Sequence, residues 1–198
     1  SSIQRKVTMS QMAVSADKAS YPELWSFVED VADRVEAPVP TNIAIGLEPT
    51  FYATTANVKV LSSGGELSGE TLYVSLPLMR LFTTDEFASV IGHELGHFKG
   101  TDVQYTIKFA PLYRALTRAV QDTAASENVA ALPALSVLNF ILDKFSNSER
   151  EISRIREFEA DKLGAKATSE KTLAAALVKV TAFSQIWGDL SYEVVESL

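Results

Sequence analysis

The sequence has no cysteine, only two histidines and no long apolar run. Without cysteine the chain cannot form a disulfide framework, and any metal must be bound by histidine and oxygen ligands. The longest uncharged stretch, Asn128 to Leu142, is shorter than the about 20 apolar residues that a membrane-spanning helix needs. The net charge of −7 argues against a nucleic-acid partner and against adhesion to an anionic membrane by charge alone.

The composition is that of a globular protein with a substantial core. Apolar residues make up 46% of the sequence and charged residues 22%, which is unlike a disordered chain. We therefore expect a single domain over residues 1–198, in which the polar residues 1–19 form an irregular N-terminal extension. The sequence begins with Ser1 and has no signal-peptide pattern, a start that fits a soluble fragment of a longer protein.

The two histidines lie four residues apart in the segment His93-Glu94-Leu95-Gly96-His97. Residues i and i+4 of an α-helix lie on one face, so both imidazoles can bind one Zn²⁺. Glu94, directly after the first histidine, can take a proton from a metal-bound water. This combination predicts a zinc hydrolase.

The residues around the motif predict a buried helix. Thr83 and Glu86 have capping-box spacing, and Lys99 and Gly100 suit a helix end. The helix would carry an apolar stripe (Phe87, Ile91, Leu95 and Phe98) and a stripe of small residues (Ala88, Gly92 and Gly96). Because a glycine inside a helix costs about 1 kcal/mol, the small stripe predicts close packing against another element.

The whole pattern predicts an α+β fold that is mostly helical, with a small, mainly antiparallel sheet packed on the central zinc helix. Strands are predicted in runs rich in β-branched and aromatic residues: Asn42–Leu47, Phe51–Ala53, Asn57–Leu61 and Thr71–Leu76. Further helices are predicted from a Ser20–Glu23 capping box, over residues 103–124, from a Ser148–Glu151 capping box to about Gly164, and from Thr168 to Trp187.

The apolar segment Val129–Phe145 is predicted to be buried. Two interpretations of the interval 103–147 stay open. It completes the hydrophobic core, or it covers the substrate cleft and touches a membrane surface.

A third metal ligand must be an oxygen donor, since zinc hydrolases usually use three protein ligands and keep a fourth position open. Glu157 and Asp161 are four residues apart. One of them can bind the metal while the other accepts a hydrogen bond from the far nitrogen of a ligand histidine. A solvated charged helix with an Arg154–Glu157 pair is the alternative explanation.

These motifs resemble the HtpX and type-I CAAX prenyl protease family of zinc metallopeptidases, within the gluzincin group. The similarity rests on the helix from Glu86 to His97, on Ser153-Arg154 and on the run from Glu157 to Asp161. Helix-sheet-helix organisation extends it over about residues 20–190. The resemblance implies a gluzincin-like metalloprotease fold.

The resemblance also implies roles for individual residues. One zinc ion would be bound by His93, His97 and Glu157, with Glu94 as the general base and Asp161 orienting His93. Some relatives use a later histidine to stabilise the oxyanion. This sequence has no histidine after His97, so either Arg154 or a C-terminal tyrosine such as Tyr192 makes that contact, or the oxyanion is stabilised more weakly.

Two features depart from the family. Relatives carry membrane-spanning helices between the two ligand motifs, where this chain has soluble-looking helices. Relatives also often carry an Asn-Ala-Phe strand, where this chain has Phe51-Tyr52-Ala53-Thr54-Thr55. The resemblance implies that the full-length protein associates with a membrane through segments outside this chain.

These inferences predict a zinc-dependent endopeptidase that hydrolyses peptide bonds by a Glu-activated, zinc-bound water, in protein quality control. The polypeptide substrate would lie extended along a strand edge. One alternative is a zinc aminopeptidase, although no acidic anchor for a substrate amine is evident. Another is an inactive or regulatory, metal-stabilised interaction module of a membrane-associated protein; Glu94 argues against it, because structural zinc needs no base.

Overall fold

The computed structural model describes residues 8–62, 64–99, 102–125 and 132–196. The chain divides into two compact units, Ser1–Lys99 with Glu159–Leu198, and Gly100–Phe158. The first unit contains the sheets and the helix that carries both histidines, and the second is helical. Each unit is described by itself.

Short strands form two sheets in the first unit. The described strands are β1 Thr8–Gln11, β2 Ala13–Ser15, β3 Asn42–Gly46, β4 Tyr52–Thr54, β5 Asn57–Val60, β6 Gly65–Leu67 and β7 Thr71–Ser75. Their order is β1-β5-β6 in one sheet and β2-β3-β7-β4 in the other. The four strands predicted from the sequence are confirmed, each to within one residue at either end.

Both sheets mix parallel and antiparallel pairs, so the expected single, mainly antiparallel sheet is not confirmed. β1 runs parallel to β5, and β3 runs parallel to β7. The pairs β2–β3, β4–β7 and β5–β6 are antiparallel. The parallel pairs arise because long connections separate their strands in sequence, which allows the chain to return in the same direction.

The prediction that residues 1–19 are irregular is wrong for the part of this segment that the structure describes. It contains β1 and β2, which belong to different sheets and are separated by Met12 alone. Strands of three or four residues are too short to show a clear alternation of polar and apolar residues, which explains why no strand is predicted in this segment.

The first helix, α1, spans Pro22–Val35, but the predicted Ser20–Glu23 capping box is wrong. Tyr21 occupies the N-cap position without a side-chain cap. The backbone N–H of Ser20 instead donates to Asp17 Oδ1 over 2.9 Å. Ser20 therefore belongs to the turn that leads into the helix.

The predicted motif helix is present after a short helix α2, Leu76–Met79, as α3, Thr84–Gly96. Its capping box is confirmed, because Glu86 N–H donates to Thr83 Oγ1 and Thr83 N–H donates to Glu86 Oε2. The helix ends earlier than predicted, with His97 as its C-cap. Gly100, the predicted end, lies outside the described residues.

The apolar stripe of α3 is buried against α1 and the sheet, as predicted. The rings of Phe27 and Phe87 stack with centroids 5.0 Å apart, and the ring of Phe51 lies 6.0 Å from that of Phe87. Aromatic contacts of this kind add to the free energy gained by burying the rings. They fix the N-terminal half of α3 to α1 and to the residue before β4.

The small-residue stripe of α3 is the surface on which the last turns of α5 (Leu132–Ala167) pack. A Cβ built on Gly92 would lie 2.9 Å from Ala167 Cβ, and one on Gly96 would lie 3.0 Å from Ala160 Cα. On the opposing helix, a Cβ on Gly164 would lie 2.8 Å from the Ser89 carbonyl oxygen. The predicted close packing is confirmed, since these distances leave no room for larger residues.

Three predicted helix boundaries are wrong. The described part of α5 runs through Ser148, whose hydroxyl donates to the Lys144 carbonyl instead of capping a helix start. Gly164 likewise lies inside α5 and not at its end. The last helix, α6, spans Glu170–Glu196 and continues past Gly188. In each case packing or helix continuity overrides a local signal that is weak on its own.

The second unit consists of α4 (Asp102–Ala125) and the N-terminal part of α5. The prediction that Val129–Phe145 is buried is wrong where side chains are described, because Val137, Phe140 and Ile141 are exposed. In the part of the chain that the structure covers, no helix combines the length and apolar character needed to cross a bilayer.

A charged contact joins α6 to the start of α3. Lys179 Nζ donates to Glu86 Oε2 over 2.7 Å, and the same carboxylate oxygen accepts the Thr83 N–H. The hydrogen bond from Lys179 lowers the pKa of the Glu86 carboxyl, and the Thr83 N–H lowers it further against the opposing effect of desolvation. One carboxylate therefore caps α3 and anchors α6.

Replacing this lysine should destabilise the protein in a pH-dependent manner. Because the folded-state pKa of Glu86 is lowered, its contribution is complete above the ordinary glutamate pKa of about 4.3 and is lost as the pH falls through the lowered value. Lys179→Met should lower the unfolding free energy by about 1–2 kcal/mol at neutral pH, since the pair is partly exposed. Denaturant unfolding at pH 7 and near pH 3 measures the effect.

Lys171→Met, at an exposed position of the same helix, is the matched control and should change stability little. An equal loss for Lys179→Met at both pH values would contradict the assignment of the effect to the ionised carboxylate.

Candidate metal centre

The last turn of α3 brings the two histidines together. Their ring centroids are 5.2 Å apart and the ring planes are nearly perpendicular, at 84°. His93 is buried, whereas His97, at the C-cap, is half-buried. The i and i+4 spacing therefore gives the shared face that the sequence predicted.

Asp161, on α5, lies behind His93. The distance between His93 Nδ1 and Asp161 Oδ1 is 3.0 Å. We assign the ring proton to Nδ1, because the carboxylate can only accept when ionised. A proton on Nδ1 leaves the lone pair of Nε2 available to a metal.

Glu157 lies one turn before Asp161 on α5. Metal-ligating atoms of His93, His97 and Glu157 all lie within 4.8 Å of one another. Two imidazole nitrogens and one carboxylate oxygen are a donor set that suits zinc and leaves a position for water or substrate.

The remaining predicted site residues differ in how closely the structure defines them. Glu94 follows His93 in the last turn of α3 and is half-buried. Arg154 is exposed on α5, one turn before Phe158. The backbone of Tyr192 belongs to α6, and its side chain lies outside the described residues.

Sequence reasoning missed the contribution of Gly164. A Cβ at this position would lie 3.1 Å from His93 Cβ and 2.8 Å from the Ser89 carbonyl oxygen, so the small size of Gly164 allows α5 to pack directly against His93. The sequence does contain a signal for this contact. Small residues repeat at i, i+4 and i+7, at Ala160, Gly164 and Ala167, and they match the small-residue stripe on α3.

The fold and this arrangement agree with a comparison to known families. Residues 19–195 match Peptidase family M48. The chain belongs to this family, and its class is that of the metalloprotease hydrolases.

Individual relatives carry the name Protease HtpX homolog. One from Archaeoglobus fulgidus is 27% identical over 183 residues, covering 88% of this chain and 51% of its own length. One from Methylibium petroleiphilum is 26% identical over 182 residues, covering 87% and 61%. A third, from Sulfurisphaera tokodaii, is 32% identical over 98 residues, covering 50% and 29%. The chain spans about half the length of the curated relatives it matches.

The contact behind His93 can be tested by metal affinity. Asp161→Ala should weaken zinc binding by about 10–100-fold without abolishing it, because the ring loses its orienting partner but keeps Nε2. Competition with a chromogenic chelator measures the dissociation constant. Glu159→Ala removes a nearby exposed carboxylate that pairs with Lys162 instead, and it should leave affinity unchanged. Equal affinities for the Asp161 variant and the wild type would contradict the inference.

Proposed function

We propose that this chain is the metallopeptidase domain of a zinc-dependent endopeptidase that acts in protein quality control. The observation that carries the proposal is the convergence of His93, His97 and Glu157, with Asp161 behind His93, in a chain of peptidase family M48. The names of the relatives support proteolysis as the activity.

His93, His97 and Glu157 would hold the zinc ion. The three side chains come from α3 and α5, and the close glycine contacts between α3 and the last turns of α5 support a preformed donor set. When bound, the zinc ion supplies Lewis-acid chemistry that polarises a carbonyl and lowers the pKa of water.

Glu94 would be the general base. It directly follows His93 in α3 and is not one of the three clustered residues. It would accept a proton from the attacking water and later deliver that proton to the leaving amine. Arg154 and Tyr192 are the candidates for contact with the oxyanion.

The edge of β4 would bind the substrate backbone. β4 is the last strand in the order β2-β3-β7-β4, and Ala53, in β4, packs against the hydrophobic core that includes α3. An extended polypeptide added to this edge would form main-chain hydrogen bonds beside the metal helix. Phe51 fixes the start of this edge by its ring contacts with Phe82 and Phe87.

Two alternative functions predict different experimental results. A zinc aminopeptidase would cleave only peptides with a free N-terminus, whereas an endopeptidase would also cleave N-terminally blocked peptides and casein. A metal-stabilised interaction module would bind zinc without cleaving either substrate. The presence of Glu94 favours the enzymes, because a structural metal site needs no general base.

The metal assignment predicts about one zinc ion per chain. Elemental analysis of the purified protein should show this stoichiometry, and His93→Ala/His97→Ala should lose it because two of three ligands are removed. Asp143→Asn, an exposed substitution on α5, should keep full zinc. Retention of zinc by the double histidine variant would show that the metal is bound elsewhere.

The base assignment predicts that Glu94→Gln keeps its zinc but cleaves slowly. Removing a general base should reduce kcat by about 10²–10⁴-fold, measured on casein and on a blocked peptide. Asp85→Asn, at an exposed position near the start of α3, should behave as the wild type. A kcat for Glu94→Gln within a factor of about ten of the wild-type value would be too high for this mechanism.

A further inference from the structure

Helix α5 exposes a set of large apolar side chains in the second unit. The exposed fractions are 58% for Val137, 61% for Phe140, 42% for Ile141, 56% for Ile155 and 60% for Phe158. At about 100° per residue these five positions fall within a sector of about 100° around the helix. We call them the α5 stripe; they extend over about 32 Å at 1.5 Å per residue.

Between the two apolar ends of the α5 stripe, the same face of the helix is polar and carries both signs of charge. On the same face, between the apolar ends, lie Lys144, Ser148 and Glu151, all exposed. Lys144 Nζ lies 5.7 Å from the centroid of the Phe140 ring, so the ammonium is held over the stripe. From one end to the other, the face is apolar, positive, neutral, negative and apolar.

This order makes the face complementary to itself when the helix is reversed. Lys144 and Glu151 are equally distant from a point between Asn147 and Ser148. The apolar pairs Phe140 with Ile155, and Val137 with Phe158, are centred on the same point. A two-fold axis there would set each lysine across from the partner's glutamate and each apolar end against the opposite apolar end.

We propose that the α5 stripe is the interface through which two copies of this chain pair, as an antiparallel helix dimer. Burial of the apolar ends supplies the attraction. The two symmetry-related lysine–glutamate pairs select the antiparallel orientation, because a parallel in-register arrangement would bring like charges together.

The charges on this face of α5 also indicate whether its partner is a second copy of the chain or a lipid surface. A face that attracts an anionic bilayer is rich in lysine and arginine. The α5 stripe instead carries one charge of each sign at its centre, in a chain of net charge −7. The apolar ends alone would suit either occupant, and the balanced centre favours the second copy.

Pairing would not occupy the ligand face of α5. Glu157 lies about 200° from Val137 around the helix axis, on the side away from the stripe. The dimer is therefore an assembly property separate from zinc binding, and variants in the stripe should keep full zinc content.

Charge reversal tests the proposal on the full 198-residue chain. Sedimentation equilibrium should show a reversible monomer–dimer equilibrium for the wild type. Lys144→Glu and Glu151→Lys should each weaken dimerisation by about tenfold or more, because each substitution changes two symmetry-related pairs. The double variant K144E/E151K should restore the wild-type dissociation constant, which general destabilisation or loss of a helix pair would not do.

Cysteine cross-linking tests the position of the axis, since the chain has no cysteine of its own. Ser148→Cys places a thiol beside the proposed axis, so two copies should form a disulfide rapidly under mild oxidation. Glu149→Cys, the adjacent exposed position, points about 100° away and should cross-link slowly.

Three results would overturn the proposal. The first is a wild-type chain that stays monomeric at the highest soluble concentration. The second is a dimer whose dissociation constant does not change on charge reversal and whose two cysteine variants cross-link at the same rate. That result would place the interface elsewhere. The third is cosedimentation of a monomeric chain with phosphatidylglycerol vesicles, reduced by Phe140→Ser, which would make a lipid surface the occupant.

Discussion

The geometry of the candidate metal centre depends on the close approach of α3 and α5. Gly92 and Gly96 on one helix and Gly164 on the other leave no space for a Cβ between the backbones. This contact places Asp161 3.0 Å from His93 Nδ1. The small size of these three residues therefore sets how closely Asp161 approaches His93.

The other faces of α3 are fixed by contacts of different kinds. The ring of Phe87 stacks on Phe27 in α1 and makes a tilted contact with Phe51 before β4. Lys179 of α6 holds Glu86 at the first turn. Apolar packing, a charged hydrogen bond and close backbone contact thus restrain the helix in separate directions, which suits a helix that must present two imidazoles at a fixed spacing.

The site was predictable from the sequence where chemistry requires a particular spacing. His93, Glu94 and His97 follow from helix periodicity, and the Thr83–Glu86 capping box follows from local backbone hydrogen bonding. Glu157 and Asp161 could not be separated from an ordinary charged helix by periodicity alone; family resemblance singled them out. Their approach to His93 is a tertiary contact that no local pattern encodes.

The wrong predictions have different physical causes. The Ser148–Glu151 spacing also occurs inside helices, where the serine hydroxyl bonds to the carbonyl four residues earlier, as Ser148 does to Lys144. The apolar segment around Phe140 is predicted to be buried because hydropathy measures the free energy of transfer out of water. It does not specify whether the new surroundings are the protein's own core or another apolar surface. Strands β1 and β2 are too short to show a clear alternation, and their pairing partners lie 29 to 49 residues away in sequence.

Both imidazoles of the chain lie at the candidate metal centre, since His93 and His97 are its only histidines. Histidine is the side chain whose ordinary pKa lies between pH 5 and 8. Every imidazole resonance in a magnetic resonance spectrum of this protein would therefore originate within the same helical turn. Metal occupancy and proton uptake could be followed at that turn in the intact chain, without isotopic selection or background from any other histidine.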